Sequence, residues 1–93
     1  MSEVKEQVLV RGRSEADVLP WARAAVEQAC DLERINDPVG YIARLHNVLG
    51  PWAFGETAES ARSELASVLI GWALLKLEDG DGDIPVMGGI SLY

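Results

Sequence analysis

Gly40-Tyr41-Ile42-Ala43-Arg44-Leu45, then Trp52-Ala53-Phe54-Gly55, then Thr57-Ala58-Glu59-Ser60-Ala61 is the stretch on which the fold turns. Its first piece alternates: Tyr41, Ala43 and Leu45 point one way, Ile42 and Arg44 the other, which is the two-residue period of a strand. After a loop around Asn47 to Pro51, the second piece places Trp52 and Phe54 on one face of another strand. Thr57 is an N-cap residue, and it opens a long helix that runs to about Asp79 and stops at Gly80. Working upstream, Leu32–Ile35 reads as a preceding strand, divided from the next by the turn signal Asn36-Asp37-Pro38, so the strands form a meander. Before it the spacing of Val18, Trp21, Ala22, Ala25 and Ala29 predicts a helix from about Val18 to Cys30, capped by Asp17, with Pro20 placed in its first turn. Residues 1–13 read as mobile or as a short strand around Val8-Leu9-Val10. Downstream, Asp81 to Gly89 reads as an acidic, glycine-rich loop and Ile90–Tyr93 as a final strand. The expected architecture is α+β, a small antiparallel sheet of three to four strands with a long helix on one face plus an N-terminal helix, all in one domain spanning 1–93.

The long helix carries more apolar surface than a sheet alone would cover. Ala61, Leu65, Val68, Trp72 and Leu75 form one stripe, and Ala66, Ile70, Leu74 and Leu77 another on nearly the opposite side. A helix resting on a sheet with its back to water needs one stripe. The first stripe, with Trp72 in its middle, is expected to meet the sheet. The second is expected to form an oligomer interface, at least a dimer, unless the N-terminal helix covers it within the chain.

Composition narrows the function. The chain has 93 residues, 48% hydrophobic and 25% charged, with a net charge of −7, which is globular composition with an acidic surface. That charge disfavours a phosphate backbone as a direct partner and favours a basic protein. The single cysteine, Cys30, excludes an internal disulfide; no signal peptide or membrane-spanning run is visible, so a cytoplasmic location is expected.

Chemistry finds few footholds. Cys30 and His46 are the only residues for a thiol–imidazole pair, and nothing in their spacing joins them. One Cys and one His do not make a zinc site. Asp79-Gly80-Asp81-Gly82-Asp83 begins like a calcium loop, but Ile84 and Ile90 stand where such a loop needs Gly and Glu. The expectation is therefore no enzyme, no cofactor and no metal. Trp21, Trp52 and Trp72 all lie in apolar patterns and read as core or interface.

Gly40-Tyr41-Ile42-Ala43, Leu49-Gly50-Pro51 and Gly55-Glu56-Thr57-Ala58-Glu59-Ser60-Ala61 together resemble the HicB-like antitoxin family, which shows a Gly-Tyr-x-Ala strand, a Leu-Pro-Gly loop and a Gly-(Asp/Glu)-Thr-x-Glu-Glu-Ala helix start. Trp72, Gly80 and Pro85 look like further family features, and the resemblance covers roughly residues 32–93. The family's Pro-(Asp/Glu)-Leu is His46-Asn47-Val48 here, and the last two loop residues are exchanged. The resemblance implies a pared-down ribonuclease H-like fold without catalytic carboxylates. It also implies an antitoxin of a type II toxin-antitoxin system that neutralises a small basic ribonuclease toxin. The alternative is an orphan self-associating interaction domain with no toxin partner. Members that repress their own operon carry a C-terminal DNA-binding domain, and the chain ends at Tyr93, so no direct nucleic-acid binding is expected. The first residues to try as partner contacts are His46, Asn47 and Pro51 in the loop, and Glu56 and Glu59 where the long helix starts.

Overall fold

The computed structural model describes residues 13–93. The short strand or mobile start expected over residues 1–13 thus falls outside the described residues, apart from Arg13. Helix α1 spans Glu15–Ala29, strands β1, β2 and β3 span Cys30–Asn36, Val39–Leu45 and Trp52–Gly55, and helix α2 spans Ala58–Asp79. The three strands form an antiparallel sheet in the order β1-β2-β3. Both helices pack on the sheet and on each other, so the α+β meander read from the sequence is the fold.

Helix α1 starts earlier than its apolar spacing suggests. Ser14, not Asp17, is the N-cap: its hydroxyl accepts from the Asp17 backbone N–H, and the Asp17 carboxylate accepts from the Ser14 N–H at 3.0 Å. This is a capping box, which satisfies two otherwise orphaned N–H groups at once. Pro20 consequently lies beyond the first turn, and the bond it cannot make to the Ala16 carbonyl is forgone at an exposed residue. The helix passes into β1 with no loop. Its last carbonyl, that of Ala29, accepts from the His46 N–H at 2.7 Å, so the strand ladder takes over where the helical bonds end.

Asn36-Asp37-Pro38 makes the β1–β2 turn, and the register pairs Cys30 with Leu45, Leu32 with Ala43 and Arg34 with Tyr41. These residues share the face toward the helices, where Ala43 and Leu45 are buried. On β3 the buried residue facing the helices is Ala53, while Trp52 is 58% exposed on the other side. The reason lies in how near α2 passes. A Cβ on Gly55 would collide with the backbone of Ala61, so only small residues fit on the inner side of this strand.

Helix α2 is bounded as its sequence signals indicate, with Thr57 in a capping box with Ser60 and Gly80 in the left-handed conformation at φ 78°. Its buried row is Ala61, Leu65, Leu69, Ala73 and Leu77. Neither expected stripe is this row; each contributes to it. Because α2 is flanked by the sheet and by α1 together, its apolar surface is broad rather than a single narrow band. Helix α1 supplies Val18, Trp21, Ala22 and Ala25 to the same core. Trp72 does not point to the sheet; its ring stacks on Trp21 of α1, with centroids 6.3 Å apart and planes 13° from parallel.

The segment after α2 is held down without forming a strand. Met87 and Ile90 exchange both backbone bonds across Gly88 and Gly89, which sit at φ 57° and 74°; this tight turn replaces the final strand expected over Ile90–Tyr93. The Trp21 indole N–H donates to the Pro85 carbonyl at 2.8 Å. The Tyr93 hydroxyl donates to the Asp81 carbonyl at 2.6 Å and accepts from the Ile84 N–H at 2.9 Å. Ile84, Met87 and Leu92 are thereby carried into the core.

Candidate interaction surface

With both helices on one side, the other face of the sheet is uncovered by any described residue. The register places Asp31, Arg44 and Trp52 in one row across this face, and Glu33, Ile42 and Phe54 in the next. An antiparallel sheet with one wet face ordinarily turns polar residues to water. Here the outward positions of β3 are both aromatic. The Phe54 ring lies over Gly40, where an added Cβ would come within 2.6 Å of ring atoms, so glycine is needed for the aromatic to lie flat across β2.

Beside Trp52 the loop joining β2 to β3 forms a wall. Val48, Leu49, Gly50 and Pro51 enclose a shallow groove of about 380 Å³ against Ile42, Arg44 and Trp52. Leu49 is 96% exposed. Such a side chain is ordinary when isolated, but this one is continuous with an exposed tryptophan. The loop turns at Asn47, whose φ of 62° is a conformation asparagine tolerates better than most side chains. Pro51 is buried.

Two side-chain pairs border the apolar patch: His46 Nδ1 lies 3.0 Å from Asp31, and the Arg44 guanidinium donates to Glu33 at 2.9 Å. All four side chains are more than half exposed, so neither pair adds much to stability and both are free to exchange partners.

The residues singled out from the sequence are not brought together. His46 and Asn47 follow Leu45 at the end of the sheet where Arg44 pairs with Trp52, whereas Glu56 and Glu59 follow Gly55 at the end where Gly55 pairs with Tyr41. All four residues of β3 lie between the two groups, a span of roughly 10 Å from its first residue to its last. Pro51, being buried, braces the loop from within. The interface expected over Ala66, Ile70, Leu74 and Leu77 is placed differently again. Leu77 is 3% exposed and belongs to the core, while Ile70 and Leu74 are half-buried against that core and Ala66 is half-buried. Sequence reasoning gave Ile42 no role, took in Leu49 only as part of the loop from His46 to Pro51, and noted Trp52 and Phe54 without assigning them a surface.

Cys30 and His46 are near in the ladder but serve opposite faces. Cys30 shares the helix-facing side with Leu45, while the His46 ring reaches Asp31 on the open side. Burial pushes the Cys30 thiol above its ordinary pKa, with the Arg62 charge opposing this more weakly, so the thiolate is disfavoured. Asp81 and Asp83 both turn to Lys76, at 3.8 and 3.0 Å. Among the described residues, no three His, Cys, Asp or Glu side chains converge as a metal site would require.

What fold and surface define is a small α+β domain with one helix-covered and one apolar, open sheet face. Residues 21–85 match the family model described as UPF0150-like. The chain belongs to this family of small proteins related to HicB-type antitoxins. No curated protein and no solved structure matches the chain. No helix among the described residues is long and apolar enough to cross a membrane.

Proposed function

We propose that this domain acts by binding, in the cytoplasm, and that its partner is a small basic ribonuclease toxin that it holds inactive. Family membership carries the reading, and the net charge of −7 supports its direction. A domain so charged gains encounter rate with a basic protein and loses it with RNA, so it competes for the surface on which the toxin would bind RNA. Glu56, just before α2, and Glu59 and Glu64 in its first half are exposed and offer carboxylates to that partner. Cys30 and His46 on opposite faces support binding without catalysis by this chain.

The test is co-expression with the product of the adjacent small basic gene, scoring co-purification and recovery of growth. Joint replacement of Glu56 and Glu59 by Gln is expected to slow association several-fold without unfolding the domain. A toxic neighbour that is neither bound nor neutralised overturns the reading. The alternative, a self-associating domain with no toxin, draws its support from the apolar open face of the sheet, and a non-toxic neighbour would favour it.

A further inference from the structure

We propose that the open face of the sheet is a contact surface for a second copy of this chain, two sheets packing face to face with the helices outermost. The inference does not depend on the toxin reading.

Outward-facing Ile42, Trp52 and Phe54, continued by Leu49 at the groove rim, make one patch on a face that an antiparallel sheet would otherwise give to polar side chains. Charge then selects the occupant. On this face Asp31 and Glu33 stand against Arg44, leaving one formal negative charge with His46 neutral, so most of the chain's −7 lies elsewhere. A second acidic copy meets its least repulsion here. A basic partner is drawn instead to the exposed carboxylates of α2, and in the groove it would meet Arg44 at the wall. A second copy also supplies what that wall attracts. Arg44, half exposed and already 2.9 Å from Glu33, can add Asp31 or Glu33 of the facing copy as that ion pair re-sorts across the contact. Sheets packed in this way lie about 10 Å apart with strands within about 30° of aligned, which leaves both α2 helices on the outside.

Sedimentation of the full chain at tens of micromolar tests this directly. The wild type is expected to run as a dimer. Trp52→Glu and Leu49→Asp should each weaken it at least about 30-fold, the effect of losing an interface hot spot, with circular dichroism unchanged. Leu49 is 96% exposed, so its variant keeps the test valid even where a Trp52 variant folds poorly. Leu75→Glu, on the exposed side of α2, should leave the dimer intact. A wild-type monomer, a dimer indifferent to Leu49→Asp, or a dimer broken by Leu75→Glu would each overturn the proposal. The measurement needs no toxin, so its failure is separate from failure of the toxin reading.

Discussion

Trp21 ties α1 to α2 and to the segment that follows it. It is fully buried, stacks on Trp72 and donates its indole N–H to the Pro85 carbonyl. Trp21→Ala is therefore expected to cost about 3–5 kcal/mol by loss of a large buried ring. Trp21→Phe keeps most of the ring but orphans the Pro85 acceptor, at about 1–2 kcal/mol. Trp72, only half-buried, should cost less on truncation than Trp21, an order that denaturant unfolding can check. At the same end of the molecule the Lys76 ammonium lies 3.0 Å from Asp83 and 5.3 Å above the Trp72 ring. Its hydrogen bond holds the Asp83 carboxyl below the usual carboxylate range and, with Asp83 as acceptor, raises Lys76 above the usual ammonium value. The Asp83 contribution is present above about pH 4 and is lost as pH falls through the lowered value. The Lys76 contribution is present below about pH 10 and is lost as pH rises through the raised one. Lys76→Met should flatten the stability profile at both ends and leave the neutral plateau only slightly lower, since the pair is largely solvated. A variant whose acid and alkaline limbs match the wild type would show that the pair does not hold the segment.

Elements end where local chemistry ends them, and those boundaries were the most legible. Thr57 and Gly80 bound α2 because a cap needs only its own turn. Ser14 escaped notice because Asp17 is an equally good cap by type, and in a capping box both take part. The β2 and β3 alternation was readable, but alternation gives parity and not sign. It says that Trp52 and Phe54 share a face, not that the face is the outer one. The clue was Gly55, small because α2 presses against it. The two stripes of α2 likewise could not say which neighbour each would meet, and the scattered candidate contacts reflect a strand register that no single segment encodes. Glycine substitutions separate the elements cleanly. Gly71 is exposed in mid-helix with nothing within 4 Å of an added Cβ, so Gly71→Ala should stabilise by about 0.5–1 kcal/mol. Gly88 has φ 57°, and its added Cβ would lie 2.7 Å from the Ala24 Cβ, so Gly88→Ala should destabilise by more than about 1 kcal/mol. Thermal unfolding of the pair should move in opposite directions.

On the scale of the whole molecule, charge and apolar surface are set apart: both helices and the segment after α2 are net negative, while the open sheet face is nearly neutral. Two kinds of association should then respond oppositely to salt. Raising ionic strength screens repulsion between like-charged copies and should tighten self-association, whereas it should slow the encounter with a basic partner. Titrating sodium chloride in both assays checks this, and parallel responses would contradict the division of surfaces. The three tryptophans fall on either side of the same division. Trp21 is sealed from solvent and Trp72 stacks on it, while Trp52 is 58% exposed at the rim of the groove. An indole in water emits further to the red than one in an apolar setting, so the long-wavelength edge of the fluorescence belongs to Trp52 and the short-wavelength edge to the stacked pair. A dissolved quencher should reach the first more readily than the second, in which Trp21 is sealed and Trp72 half-buried. The native chain thus carries two separable lamps, one lit by what occupies the sheet and one by whether the segment beyond α2 keeps its place.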